Sequence, residues 1–401
     1  MSGSISDAAY EDDAALEELA SDNAIVMSDP DITMEEIEAV TRALGSTCLS
    51  SGAVVREFEE AFAAWVGRRY AVAVPSGAIG LFLTLRAYGL RPGDEVVMPG
   101  FAFRETCQAV AVAGLKPAIA DIDYWSGTLS PDKAAKAITE NTRAIIASNT
   151  NGHPAAWTAL RELAQARNLI LIEDSSEAIG STYKDQLVGS FGDCAIFDFA
   201  QPSALTCGEG GMVVTDEIDI AVALRRMRSH SIADRVSLVV GSTPDARAVM
   251  SDMTAALGLA QLRRIDEILE RRKAIEEIYS LHMQSFEGIK PPYIAPDVTR
   301  VCWYLYVVHL GTRFTRSARD QIIDDLRVEE IEAAAYALPL HLQRCYFGLG
   351  YRRGDLFVTE KVADRAVALP FHTHLSADEI EFIVQTLKDS SVNVGAGAAI
   401  Y

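Results

Sequence analysis

The chain has 401 residues, 49% of them apolar and 23% charged, which is enough apolar material for a large core and excludes disorder over most of the length. Thirty-six basic against 56 acidic side chains give a formal charge of −20, a balance that repels nucleic-acid backbones and anionic membrane surfaces. Six cysteines stand scattered at positions 48, 107, 194, 207, 302 and 345, with no Cys-x-x-Cys pair and no histidine at ligand spacing, so reduced thiols, no metal site and a cytoplasmic location are expected.

Residues 1–23 are acidic, lack the basic start and apolar stretch of a signal peptide, and read as an arm. The pattern from Asp31 to Leu44 predicts a helix, as does Val55–Val66. A regular alternation follows. RYAVAVPSG is a strand entering a glycine turn, with AIGLFLTLRAYGL as its helix, and GDEVVMPG is a strand with RETCQAVAVAGL as its helix. KPAIADID, RAIIASNT and LILIEDSS are short β-rich runs, the last two separated by a helix around AAWTALRELAQARN. Strands alternating with helices predict a largely parallel sheet covered on both faces. AIFDFAQPSA and GGMVVTDE read as two further strands across a glycine-rich turn, and Met253–Met283 as one long helical stretch. Beyond it CWYLYVVHL predicts a strand, SARDQIIDDLRVEEI a helix and SADEIEFIVQTLKD a last amphipathic helix. The expected organisation is an arm over 1–23, a large domain over 24–284, a small C-terminal α+β domain over 285–390 and a frayed tail over 391–401.

GDEVVMPGFAF, KPAIADID, LILIEDSSEAIGSTYKDQLVGSFGD, CGEGGMVVTD, MSDMTAALGLAQL and LPLHLQRCYFGLGYRRGD together resemble the DegT/DnrJ/StrS family of sugar aminotransferases, running in order from about residue 30 to 390. The resemblance implies an α/β, fold-type-I aminotransferase-like architecture: a large domain with a mostly parallel seven-stranded sheet plus a small C-terminal α+β domain. It also implies a homodimer whose two sites share residues, and a pyridoxal phosphate cofactor.

Several positions depart from the family pattern. The lysine that holds the cofactor aldehyde falls at Ser203, whose hydroxyl cannot form a Schiff base, and no lysine lies between Lys184 and Lys273. The phosphate turn reads Ser76-Gly77-Ala78, one hydroxyl short, although the amides of Gly77 and Ala78 open a helix and can bind an anion. A phosphate-binding serine falls at Asp198, which repels a dianion, and an asparagine lent by the partner subunit falls at Arg247. Asp198 and Arg247 are therefore expected to pair and fill the vacated phosphate position. Asp174 matches the aspartate that meets the pyridine nitrogen, Phe103 matches the stacking aromatic, and Glu177 stands where glutamine is usual.

Asp174, Glu177, Asp198 and His153 are expected to converge at the strand ends, where ligands bind in open α/β sheets, and crowded carboxyls push at least one pKa upward. Three readings remain open on the sequence. The first is a repurposed enzyme performing cofactor-independent acid–base chemistry on a small polar biosynthetic metabolite, with no cofactor. The second is a sugar-modifying enzyme, aminotransferase or dehydratase-like, holding pyridoxamine or pyridoxal phosphate without a Schiff-base lysine. The third is a non-catalytic homologue that binds a partner enzyme or a metabolite.

Overall fold

The computed structural model describes residues 24–228, 246–284, 286 and 288–397; the acidic arm over 1–23 lies outside them. In chain order the strands are β1 (Tyr70–Val74), β2 (Glu95–Pro99), β3 (Lys116–Ala120), β4 (Thr142–Ser148), β5 (Ile170–Asp174), β6 (Thr182–Tyr183), β7 (Gln186–Leu187), β8 (Cys194–Asp198) and β9 (Gly211–Thr215). The last five are β10 (Ile289–Lys290), β11 (Val298–Arg300), β12 (Tyr306–Leu310), β13 (Ala334–Ala335) and β14 (Ala366–Leu369). The helices are α1 (Met34–Leu44), α2 (Ala53–Val66), α3 (Gly77–Ala87), α4 (Arg104–Val112), α5 (Pro131–Ala137) and α6 (Trp157–Arg167). They continue with α7 (Ile218–Arg228), α8 (Asp252–Arg263), α9 (Ile265–Met283), α10 (Arg316–Val328), α11 (Phe357–Ala363) and α12 (Ala377–Gly397).

Seven strands form one sheet in the order β1-β9-β8-β5-β4-β2-β3. All neighbours pair parallel except β9, which runs antiparallel between β8 and β1. The alternation of side chains along each strand explains why both faces are covered. In β4, Ile145 and Ala147 join one apolar cluster while Ala144 and Ile146 join another, so neither face meets water and helices close over both. A second sheet, β10-β12-β14-β13, is antiparallel throughout and lies wholly after residue 288. Among the described residues no helix is long and apolar enough to cross a membrane.

The C-terminal ends of β1, β4, β5 and β8 share one edge of the large sheet. Register places Ser148 beside Asp174, and Asp174 beside Ile196. That edge is where helix N-termini and strand-end side chains meet, and it holds the cleft described below.

Three expectations are corrected by the backbone. The stretch Met253–Met283 is two helices, broken at Arg264 (φ −102°, ψ 7°). The Arg264 guanidinium is buried and bonds Asp31 Oδ1 at 3.0 Å and Glu36 Oε1 at 2.8 Å, tying α1 to the helix junction. Gln261 supports it, donating to the Asp31 carbonyl at 2.7 Å and to Glu36 Oε1 at 3.0 Å. Residues 302–305 do not extend β12, because their backbone is engaged elsewhere. Arg272 donates to the carbonyls of Trp303 and Tyr304, and the Leu305 amide donates to Asn151 Oδ1. The last helix runs on to Gly397 instead of fraying at 390, since Ser390 and Ser391 are buried and Ser390 Oγ donates to Asp325 of α10.

Arg264→Met should cost about 3–5 kcal/mol at neutral pH, because it leaves the buried Glu36 carboxylate without a cation while Asp31 keeps Arg271 at 2.7 Å. Burial alone would raise the Glu36 carboxyl, but bonds from Thr33, Arg264 and Gln261 outweigh it and hold the group at about 2. A folded value below the ordinary 4.5 means the stabilisation is complete above that pH and is lost as pH falls toward 2. Urea melts should therefore show the gap between wild type and variant narrowing across this acidic window. A gap that stays constant from neutral pH down would contradict the assignment.

Candidate functional site

The cleft at the sheet edge is built from the ends of two strands and the starts of two helices. Asp174, the last residue of β5, is 7% exposed and held from three sides. Thr106 and Ser148 donate their hydroxyls to Oδ2 at 2.8 and 3.2 Å, and the Ser176 amide donates to Oδ1 at 3.2 Å. These bonds fix the carboxylate so that it cannot turn away, and they keep it an acceptor.

Phe103 caps the start of α4 and is 42% exposed. That number separates two readings of the ring: a core aromatic would be covered, whereas this one lines the cleft with an open surface. Thr106 follows it one turn later, so α4 delivers both the aromatic wall and one anchor of Asp174.

Asp198 ends β8. Its Oδ2 accepts the Gly77 amide at 2.6 Å and its Oδ1 accepts the Ala200 amide at 2.8 Å. The expected placement of this carboxylate at the glycine turn is therefore realised. A Cβ on Gly77 would stand 3.0 Å from Asp198 Oδ2 and 3.3 Å from Ser176 Oγ, so any larger residue there would press on the carboxylate. Burial pushes the Asp198 carboxyl up, opposed by the two amides and reinforced by the charges of Glu209 and Asp174. Gly77 and Ala78 are the first residues of α3, whose opening amides have no partner inside the helix.

The expected pair with Arg247 does not form within one protomer. Arg247 is exposed, sits at a left-handed φ of 47°, and makes no ion pair among the described residues. Ser203 lies half-buried in the turn after β8, its Oγ enclosed without a hydrogen-bond partner. All eight lysines fall in described residues and none lines the cleft. Lys184 sits on the β6–β7 turn, where its Nζ donates to Thr158 Oγ1 at 3.0 Å.

Two expected members of the cluster are engaged elsewhere. His153 is buried, with Nδ1 2.8 Å from the Pro154 carbonyl and Nε2 accepting the Ala295 amide at 3.1 Å. Both ring nitrogens are used by the protein, and burial lowers the ring's pKa, so its expected place among the cleft groups is corrected to a structural one. Glu177 points from the β5 end toward the neighbouring loop, where Oε2 accepts the Asn151 amide at 2.7 Å and the Tyr336 hydroxyl at 2.6 Å. Burial raises its carboxyl to about 7, against these two bonds and with Asp174 and Glu105 adding to the rise.

The sequence reading missed Glu105, which lines the cleft next to Asp174 and has a buried Oε2 with no partner. An acid in the first turn of a helix reads as a complement to the helix dipole, which hides a functional role. The ring end of the cleft fits a pyridine cofactor, with an anchored carboxylate, an aromatic face and a helix N-terminus. Its far end offers no amine, and one of its amides already serves Asp198.

Residues 30–388 match the DegT/DnrJ/EryC1/StrS aminotransferase family. The chain is 33% identical to the spore coat polysaccharide biosynthesis protein SpsC of Bacillus subtilis, over 90% of this chain and 95% of that one. It is 32% identical to GDP-perosamine synthase of Caulobacter vibrioides, over 90% and 97%. Among solved structures it resembles the putative sugar aminotransferase Spr1654 of Streptococcus pneumoniae in its PMP form, with a TM-score of 0.87, 26% identity and coverage of 94% of this chain and 100% of that one. The same protein in its PLP form gives 0.86 at 27% identity, covering 92% and 99%. The expectation that no cofactor is used is overturned by these relatives. It was drawn from the amine and phosphate ends of the site, whereas the ring end keeps its carboxylate and aromatic.

Proposed function

This chain belongs to the DegT/DnrJ/EryC1/StrS aminotransferase family, and from that membership we propose that it modifies a sugar in a biosynthetic pathway with pyridoxal or pyridoxamine phosphate held by non-covalent contacts alone. The observation that carries this reading is the anchored Asp174 beside the open ring of Phe103, with no lysine on the cleft wall. Such a cofactor, when bound, supplies an electron-withdrawing pyridinium ring and, in its amine form, an amino group.

The chain's own residues do the rest. Asp174 would face the ring nitrogen of a bound cofactor and hold a proton there, and its three anchors keep it aimed. Phe103 would cover one face of the ring. The Ala78 amide, at the start of α3 beside the Gly77 amide that serves Asp198, would take the phosphate. Asp198 serves that phosphate as a donor only when it carries a proton, the form that burial favours. Ser203 is too weak an acid or base to move a proton near neutral pH. Glu105, whose Oε1 meets Arg104 at 2.9 Å while Oε2 on the same cleft has no partner, is the group we assign to proton transfer.

The cleft of one protomer is lined by Glu105, Asp174 and Asp198, and among the described residues no cation lines it. A phosphate needs one, and we assign it to Arg247 brought by a second copy in a homodimer. MSDMTAALGLAQL supports this, since its small residues let α8 pack closely.

In an absorbance titration with pyridoxamine phosphate, Asp174→Asn should weaken binding by about tenfold or more, the loss of one charge-assisted bond. Unchanged affinity would contradict the role given to Asp174. For the homodimer, in protein free of cofactor Arg247 has only Asp198 to meet, so Asp198→Ser should lower the melting temperature more than Asp198→Ser combined with Arg247→Asn, because the single change strands a cation at the interface. Equal melting temperatures, or a monomer by light scattering at micromolar concentration, would contradict the shared site.

A further inference from the structure

Arg272 of α9 is a buried cation, 5% exposed, with no carboxylate within ion-pair distance among the described residues. Such a charge is costly unless other groups satisfy it. It is satisfied by the main chain. The guanidinium donates to the carbonyls of Trp303 at 2.6 Å, Tyr304 at 3.1 Å and Phe371 at 3.4 Å. From the other side Asn151, at a left-handed φ of 52°, accepts the Tyr304 amide on its carbonyl and the Leu305 amide on Oδ1. The next residue has to be glycine, since a Cβ on Gly152 would stand 2.1 Å from the Cys302 carbonyl oxygen. A buried arginine and two left-handed residues thus hold 303–305 in a bend just before β12.

The bend presents the side chain of Tyr304 to the cleft. That residue is half-buried, and its hydroxyl reaches the turn that also holds Ser203, 3.5 Å from the Gln201 carbonyl. The distance is long for a hydroxyl donor, so the phenol is not committed to this carbonyl. Burial raises its pKa, and the charges of Glu177, Asp198 and Glu105 add to the rise. The phenol therefore stays neutral and stands among the acids of the cleft, two of which line its wall with Asp174. A neutral phenol can both donate and accept, whereas the Ser203 hydroxyl is enclosed.

We propose that Tyr304 supplies the polar contact at the amine end of the cleft, its oxygen accepting a hydrogen bond from the amino group of pyridoxamine phosphate. The assignment rests on the cofactor reading of the Asp174 cleft. Asp174 takes the ring nitrogen and Tyr304 the amino group opposite, so both ends of the ring are held without a lysine.

The test is absorbance titration of the full chain with pyridoxamine phosphate and with deoxypyridoxine phosphate, which ends in a methyl group where the first carries its aminomethyl. The wild-type chain should bind the amine about tenfold more tightly, the worth of one hydrogen bond to a charged group. Tyr304→Phe should abolish that preference. Pyridoxamine phosphate should weaken by about tenfold, while the methyl analogue and the melting temperature stay unchanged. Unchanged binding of the analogue shows that the cleft of the variant is folded. No binding of either ligand by the wild type up to about 1 mM would overturn the cofactor reading and this proposal together. Binding by the wild type with the amine preference kept in Tyr304→Phe, or with both ligands weakened alike, would overturn the Tyr304 assignment alone.

Discussion

The cleft depends on a single short contact, the Gly77 amide donating to Asp198 Oδ2 at 2.6 Å. It joins the end of β8 to the start of α3, and so brings a carboxylate to a helix N-terminus that would otherwise offer its amides to an external anion. The rest of the site follows from this contact. With the first amide occupied, Asp198 cannot be ionised beside a phosphate without repulsion, and its raised pKa is what lets the two coexist. Among the described residues no cation lines the cleft wall, and the proposed homodimer would supply one.

The molecule handles its buried carboxylates in two different ways. At the α8–α9 junction Asp31 and Glu36 share Arg264, and the Glu36 carboxyl is driven down to about 2. At the cleft Glu177 and Asp198 have amide or hydroxyl donors but no cation, and both are driven upward. Paired acids of the first kind hold elements together and stay charged. Acids of the second kind are held above the ordinary carboxylate range, the direction that favours carrying a proton. Glu177 belongs to this second group by its titration, although the Asn151 amide and Tyr336 hydroxyl hold it away from the ring end.

Much of this was legible in the sequence. The strand–helix alternation gave the parallel sheet, because a strand buried on both faces must be apolar throughout. The glycine turn before α3 and the acid at the end of LILIED located the cleft. Asp198 could be placed at Gly77 because the family resemblance sets both positions at the phosphate turn. What was not legible depended on distant partners. The break at Arg264 comes from two acids more than 220 residues earlier, and no local pattern marks it. His153 looked like a cleft group until the Ala295 amide claimed its second nitrogen. Glu105 resembled an ordinary first-turn acid. The cofactor was misjudged because a missing amine was weighed more heavily than an intact ring site.

The central claim, a cofactor held without a covalent bond, is tested most directly by borohydride reduction of the full chain after incubation with pyridoxal phosphate, followed by peptide mass spectrometry. The account predicts that the cofactor leaves intact on denaturation and that no lysine carries a stoichiometric adduct. One lysine carrying one reduced cofactor per chain would contradict it.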